Sequence, residues 1–247
     1  MRVIQVKDYE EMSEVAANLL FQRVKEADAL SLGVATGGTP EETYTRLAKK
    51  ANESKQSFSH VNTYNLDEYV GLLPQHPNSY RYYMEQHLFT KIDIPKEQTH
   101  LPDGTAVDLH DECNRYDRLI KNGGGIDVQL LGIGANGHIG FNEPGTPFET
   151  GTHLVELTNE TREANARYFT TKDSVPTKAI TMGIATIMEA KEIVLLVSGQ
   201  SKALAFAKLM DGEITEEFPA SVLNKHANVI IIADKAASSM YASKHVS

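Results

Sequence analysis

Hydrophobic residues along this chain form two kinds of pattern. The runs VLLV (194–197) and VIII (229–232) are apolar at every position, which is typical of strands that helices cover on both faces. Between such runs, apolar residues recur every three or four positions, and this spacing predicts amphipathic helices. The first predicted helix covers 8–27 and has its apolar face at Met12, Val15, Ala16, Leu19 and Leu20.

The predicted elements alternate along the whole chain. Strands are expected at 2–6, 29–36, 61–66, 126–134, 153–157, 192–199 and 228–234, and 178–184 is expected to begin as a strand or turn and to move into a helix near Ala190. Helices are expected at 8–27, 40–52, 78–89, 105–121, 159–168 (with Asn159 as its cap), 201–210 and the C-terminal end. This order predicts an α/β fold with a single doubly wound, mostly parallel sheet and helices on both faces. No repeat or linker interrupts it, so 1–247 is expected to be a single domain.

Composition and charge narrow the class of protein. Hydrophobic residues make up 41% and charged residues 23%, which is ordinary for a soluble globular protein. The net charge of -9 and the scattered basic residues argue against nucleic-acid binding. No apolar run approaches the ~20 residues of a membrane span. A lone cysteine, Cys113, excludes an internal disulfide, so we expect a cytoplasmic protein without membrane or nucleic-acid partners.

The stretch LGIGANGHIGFNEP (131–144) carries the first candidate site. Its GIGANG part fits the spacing of a dinucleotide-binding loop, but such a loop must open a helix. The glycines and prolines that follow make a long helix there improbable. The alternative is a loop at the carboxyl end of a strand, with Asn136, His138 and Glu143 in a crevice. A histidine beside a carboxylate can act as a general base, although His138 could equally only stabilise the loop.

Two glycine-containing turns are candidates for binding an anion. The segment GVATGGTPEETYTRL (33–47) lacks the lysine of a Walker loop, but the turn 36–39 offers backbone amides, two threonine hydroxyls and the start of a helix. A phosphate monoester would fit there, and a plain strand-to-helix turn is the alternative. In SGQSKA (198–203), Lys202 lies where the helix dipole disfavours a cation, which favours a bound phosphate. Arg162 or Arg167 could contribute in the same way.

Two neighbouring carboxylates, Asp67 and Glu68, follow the strand at 61–66. Either could be a base at the carboxyl end of a strand, and either could cap the next element; from the sequence alone capping is favoured. The tyrosines at 80, 82 and 83 indicate helix packing. The histidines form no HExxH motif, and no metal or other cofactor is expected.

Several stretches together resemble the glucosamine-6-phosphate deaminase family, also called glucosamine-6-phosphate isomerases. They occur in the family's order over nearly the whole chain, and NLDEYVGL and GHIGFNEP are the most specific. The matching stretches are ATGGTP (35–40), NLDEYVGL (65–72), NSYRYYM (78–84), LGIGANGHIGFNEP (131–144), TREANARYF (161–169), AITMGIATIM (179–188) and SGQSKA (198–203). The resemblance implies a Rossmann-like fold of the sugar-phosphate isomerase and deaminase type.

The resemblance also implies a reaction: glucosamine 6-phosphate is isomerised and hydrolysed to fructose 6-phosphate and ammonia, in the catabolism of amino sugars. His138 would open the pyranose ring, with Glu143 and Asn136 as its relay. Asp67 would take the proton from C2 of the open chain. The phosphate would bind to Thr36, Gly37, Gly38 and Thr39, with Arg167 and Lys202 supplying the positive charge.

Two departures from some family members affect the expectations. Some members have aspartate in place of Asn136, and asparagine cannot raise the basicity of the imidazole by charge. Allosteric hexameric members carry two basic residues where this chain has His153 and Val155. We therefore expect a monomer or small homo-oligomer with no activation by N-acetylglucosamine 6-phosphate. Residues 161–170 are expected to form part of a mobile lid.

Three alternatives remain at this point. A 6-phosphogluconolactonase or pentose-phosphate isomerase would share the architecture and the phosphate turn, but not the motif pair NLDEYVGL and GHIGFNEP. A non-catalytic sugar-phosphate sensor would have no reason to keep Asp67, His138 and Glu143 together. A nucleotide-binding protein would need the missing helix after GIGANG.

Overall fold

The computed structural model describes residues 1–166, 169, 171 and 174–245. Within these residues the strands are β1 (Arg2–Val6), β2 (Leu30–Val34), β3 (Val61–Asn65), β4 (Asp67–Tyr69), β5 (Thr99–His100), β6 (Val128–Gly132), β7 (His153–Glu156), β8 (Lys178–Thr181), β9 (Glu192–Val197) and β10 (Val229–Asp234). The helices are α1 (Tyr9–Glu26), α2 (Glu41–Ser54), α3 (Tyr80–His87), α4 (Leu109–Asn122), α5 (Asn159–Asn165), α6 (Ile184–Met188), α7 (Ala203–Asp211) and α8 (Lys235–His245).

The central sheet has the strand order β1-β10-β9-β6-β2-β3-β5, and its paired strands are all parallel. Every residue of β9 and β10 is buried, as their continuous apolar runs predict. The apolar residues divide into two large clusters. One includes side chains of α1, α2 and α3, and the other includes side chains of α4, α6, α7 and α8. The doubly wound parallel sheet is therefore confirmed.

A second sheet, which the sequence analysis did not predict, stands beside the first. It contains β4, β8 and β7, and both of its strand pairs are antiparallel. Leu66 joins the two sheets, because its N–H donates to the Val34 carbonyl at 3.1 Å and its carbonyl accepts from the Met182 N–H at 2.6 Å. The chain thus passes from the central sheet into the small one through a single buried residue.

Several predicted helix starts or caps differ from the structure, and two of the differences have a clear side-chain cause. Helix α4 begins at Leu109 rather than at 105, because the Asp108 side chain accepts hydrogen bonds from the His110 and Asp111 N–H groups. Thr158, not Asn159, caps α5, and its hydroxyl accepts from the Thr161 N–H. The lid expected at 161–170 falls partly outside the described residues.

Among the described residues, no helix is both long enough and apolar enough to cross a membrane.

Candidate active site

A pocket of about 250 Å³ opens at the carboxyl ends of β2 and β6. Its walls come from the turn after β2, from β4, from the loop after β6 and from the first turn of α5. The turn after β9 adds one lysine. The residues that matter for its chemistry are Thr36, Gly37, Gly38, Thr39, Asp67, Tyr80, His138, Thr161 and Lys202. Parallel strands bring these distant segments to one edge of the sheet, which is where ligands bind in such folds.

The turn 36–39 is held in place by two tyrosine hydroxyls from outside the pocket. Tyr83 donates to the Gly37 carbonyl at 2.7 Å, and Tyr9 donates to the Gly38 carbonyl at 2.9 Å. Gly37 has a φ of 98°, a conformation that side chains disfavour. Helix α2 begins just after the turn, so its positive end lies beside the pocket. This arrangement suits an anionic group.

Lys202 reaches the same pocket from the turn after β9. Asp234, at the end of β10, fixes this turn by accepting hydrogen bonds from the Gly199 N–H at 3.0 Å and the Ser198 hydroxyl at 2.6 Å. Gly199 has a φ of 89°. The predicted lysine therefore lines the same pocket as the predicted phosphate turn, although they are more than 160 positions apart in the chain.

The two neighbouring carboxylates of β4 have different environments. Glu68 accepts hydrogen bonds from the N–H groups of Tyr69, Tyr80 and Arg81, each at 2.9 Å. It therefore holds the start of α3, which is the capping role that the sequence left open. Asp67 lines the pocket and is only 6% exposed. Successive side chains of a strand point to opposite faces, which explains the division.

Burial and the nearby Glu68 charge raise the pKa of Asp67 to about 8. Burial also raises the pKa of Glu68, although its backbone hydrogen bonds oppose the shift. A carboxyl group whose ionised form is poorly stabilised and which faces a pocket is a candidate base. A cation bound beside Asp67 would favour its ionised form.

His138 lines the pocket, and Glu143 and Asn136 lie behind it. The His138 Nδ1 is 3.6 Å from Glu143 Oε2, which is within ion-pair range but longer than a hydrogen bond. Asn136 Nδ2 donates to the same Oε2 at 2.8 Å, and Asn136 Oδ1 accepts from the backbone N–H of His138 at 3.2 Å. Burial alone would raise the pKa of Glu143, but His138, Thr161 and Asn136 outweigh it and lower the pKa to about 2.

Gly134 leaves room for the His138 imidazole because it has no side chain. A Cβ on Gly134 would lie 2.3 Å from the His138 ring atoms Cε1 and Nδ1. The glycine spacing that imitates a nucleotide-binding loop thus makes room for a side chain. No helix starts in this loop, since α5 begins only at Asn159, and the dinucleotide alternative is unsupported.

Most of the predicted site residues come together. Those at 36–39, 67, 138 and 202 line one pocket, and Asn136 and Glu143 contact His138 from behind. Arg167 lies outside the described residues. Sequence analysis missed Thr161, whose hydroxyl donates to Glu143, and assigned Tyr80 only to packing, whereas it lines the pocket. No group of histidine, cysteine and acidic side chains in the described part could hold a metal ion.

Comparisons with known proteins place the chain among sugar-phosphate enzymes. A family model described as "Glucosamine-6-phosphate isomerases/6-phosphogluconolactonase" matches residues 7–232. A glucosamine-6-phosphate deaminase of Shouchella clausii is 65% identical over 99% of both chains. One of Bacillus velezensis is 55% identical over 96% of this chain and 98% of its own.

Two solved structures resemble this chain. A monomeric glucosamine-6-phosphate deaminase superposes with a TM-score of 0.96 and is 50% identical, covering 97% of this chain and all of its own. A 6-phosphogluconolactonase of Trypanosoma brucei has a TM-score of 0.77 at 19% identity, over 96% of this chain and 97% of its own. At that identity the second likeness concerns the fold alone.

Proposed function

This chain belongs to the glucosamine-6-phosphate isomerase and 6-phosphogluconolactonase family, and we propose that it is the deaminase of that family. It converts glucosamine 6-phosphate and water to fructose 6-phosphate and ammonia. The relatives that are at least half identical over nearly the whole chain carry this name, whereas the phosphogluconolactonases share less than a fifth of its residues.

The observation that carries the proposal is the position of Asp67 and His138 in one pocket with the turn 36–39. Isomerisation of an aldose phosphate needs a proton-transferring group for the ring, a base for C2 and an anchor for the phosphate. The pocket supplies all three. A phosphate binding Thr36, Gly37, Gly38, Thr39 and Lys202 would fix the far end of the sugar and orient C1 and C2. Arg167, outside the described residues, is proposed as a second cation.

Ring opening is assigned to His138. A neutral imidazole can take the proton of the anomeric hydroxyl and return it to the ring oxygen. Glu143 supplies the negative charge that orients the ring. Asn136 positions this carboxylate by donating to Glu143 Oε2, and it holds the loop by accepting from the backbone N–H of His138. Asn136 has no charge to add, so the attraction within the relay comes from Glu143 alone.

Proton transfer from C2 is assigned to Asp67. In the free protein its raised pKa keeps much of it protonated at neutral pH, but the C2 ammonium group of a bound substrate favours the carboxylate. Asp67 therefore becomes a carboxylate, and so a base, when the substrate is bound. Asp67 takes the C2 proton while one proton of the ammonium group moves to the C1 oxygen, and the resulting enolamine accepts the proton back from Asp67 at C1. Water then adds to the C2 imine, and ammonia leaves as the ketone forms.

The test measures ammonia and fructose 6-phosphate released from glucosamine 6-phosphate by the native chain and by Asp67→Asn. Equal amounts of both products are expected from the native chain. The variant, which cannot accept the C2 proton, is expected to lose at least a thousandfold in rate, within the usual range for a missing general base. Retained binding of inorganic phosphate by the variant would show that the pocket is intact.

Two other results would favour a different function for the protein. Hydrolysis of 6-phosphogluconolactone without ammonia release would favour the lactonase. Binding of glucosamine 6-phosphate without any products would favour a sensor, and the roles of Asp67 and His138 would be withdrawn.

We further propose that the enzyme works in the cytoplasm, that it is a monomer like the solved relative described as monomeric, and that it is not activated by N-acetylglucosamine 6-phosphate. On β7, the His153 ring contacts the Gly151 carbonyl at 2.9 Å, and Val155 packs against the small apolar cluster of the second sheet. Val155 carries no charge for a phosphate. KM for glucosamine 6-phosphate is expected to stay constant when that ligand is added, and sedimentation should give a mass near 27.3 kDa. A clear fall in KM would contradict this proposal.

A further inference from the structure

Thr161 connects helix α5 to the relay behind His138. It is 9% exposed and lines the pocket, and its hydroxyl donates to Glu143 Oε1 at 2.5 Å. The same hydroxyl oxygen accepts from the Thr158 hydroxyl at 3.1 Å, while Thr158 Oγ1 lies 3.1 Å from the Thr161 N–H. The cap of α5 and the carboxylate of the relay thus belong to one chain of hydrogen bonds, in which each bond polarises the next.

The two oxygens of Glu143 have different partners. Oε1 accepts from Thr161, and Oε2 accepts from Asn136 at 2.8 Å. His138 Nδ1 is buried, has no hydrogen-bond partner among the residues that the structure describes, and lies 3.6 Å from Oε2. A shift of the carboxylate by less than 1 Å would bring Oε2 within hydrogen-bond distance of His138 Nδ1. The position of the carboxylate therefore decides how the imidazole is oriented.

We propose that Thr161 is a positioning residue of the proton relay: its hydroxyl fixes the Glu143 carboxylate, and through it the orientation of His138. This inference rests on the proposed function, because the relay has a role only if His138 transfers protons. Asn136 holds the carboxylate from the side of the loop, and Thr161 holds it from the side of α5. If either Asn136 or Thr161 loses its hydrogen bond to Glu143, the carboxylate is free to rotate.

Three variants test the role. Thr161→Val keeps the shape and removes the hydroxyl, whereas Thr161→Ser keeps the hydroxyl and removes a methyl group. Thr152→Val is the matched control, because Thr152 is similarly buried and its hydroxyl donates to a carboxylate, Asp117, outside the pocket. All three are compared with the native enzyme in kcat, KM and melting temperature.

Thr161→Val is expected to lower kcat about tenfold to a hundredfold, as for the loss of one hydrogen bond to a charged group. KM should change less than about twofold, because no phosphate contact is lost. Thr161→Ser should recover most of kcat. Thr152→Val should lower the melting temperature and leave kcat within about twofold of the native value. The expected changes in kcat and KM follow from the free energy that one hydrogen bond contributes.

A spectroscopic measurement separates positioning from a merely structural role. The ¹⁵N shifts of the His138 ring report which nitrogen carries the proton, and they should change in Thr161→Val but not in Thr152→Val. Native kcat in Thr161→Val, or unchanged His138 shifts, would overturn the proposal. Equal loss of kcat in all three variants would also overturn it. Absence of ammonia release by the native enzyme would instead refute the proposed function.

Discussion

At the scale of single residues, the neighbouring carboxylates Asp67 and Glu68 have different roles: Asp67 lines the pocket, and Glu68 accepts the N–H groups at the start of α3. From the residues alone either carboxylate could be a base or a cap and capping is favoured, and only the family resemblance implies that Asp67 is the base. The assignment depends on which face of β4 meets the pocket and where α3 begins. These are set by residues more than ten positions away, among them Tyr80 and Arg81.

Asp67 is expected to make the protein less stable as pH rises. Between about pH 4 and pH 8 an unfolded chain has lost this proton, whereas the folded chain retains it until its raised pKa of about 8. The free energy of unfolding should therefore fall across that window. Asp67→Asn should be more stable than the native chain at pH 8, by an amount on the order of a few kcal/mol, and equal to it near pH 4. Urea denaturation at both pH values measures the difference; the same gap at both would contradict the expectation.

Glu68 is expected to influence the pH dependence of catalysis. Its charge contributes to the raised pKa of Asp67, so kcat/KM should rise with pH until Asp67 ionises near pH 8 in the free enzyme. Glu68→Gln should move this rise to lower pH by roughly one unit. Glu85→Gln, at a half-buried position of α3 beside Arg81, is the control and should leave the profile in place. A profile that is unchanged in Glu68→Gln would exclude the charge effect.

At the scale of elements, the sequence predicts best where apolar pattern and burial coincide. Strands β9 and β10 carry the apolar runs 193–197 and 229–233, and both are interior strands of the central sheet. The sequence does not predict β4, because its residues Asp67, Glu68 and Tyr69 show no apolar alternation. This strand pairs with β8, which lies more than a hundred positions later in the chain. Thr161 is missed for a similar reason, since nothing in a polar helix start indicates a bond to Glu143.

The loop after β6 is expected to be intolerant of side chains at Gly134. A methyl group there would overlap the His138 ring, so Gly134→Ala should displace the imidazole and lower kcat at least a hundredfold, as misplacement of a catalytic group by about 1 Å does. Binding of inorganic phosphate should persist, because the turn 36–39 is untouched. Loss of both functions together would mean that the whole loop, not only His138, has moved.

At the scale of the whole molecule, the central sheet sets the stability. Ile231 on β10 is fully buried, whereas Val3, its partner in register on the edge strand β1, is 38% exposed. Ile231→Ala should cost about 2–5 kcal/mol of unfolding free energy, and Val3→Ala less than about 1 kcal/mol. Both variants should keep native KM while folded. Thermal denaturation followed by circular dichroism measures the difference, and equal losses would contradict this account of the core.

The junction at Leu66 has a consequence for how the enzyme responds to heat. Asp67 belongs to the small sheet, while His138 follows β6 of the central sheet, and Leu66 holds the two sheets together by two backbone hydrogen bonds. Local opening requires less free energy than global unfolding. Warming should therefore separate the base from the imidazole while the central sheet is still intact. We expect reversible heat inactivation several degrees below the melting transition, so that this junction, and not the core, sets the temperature optimum.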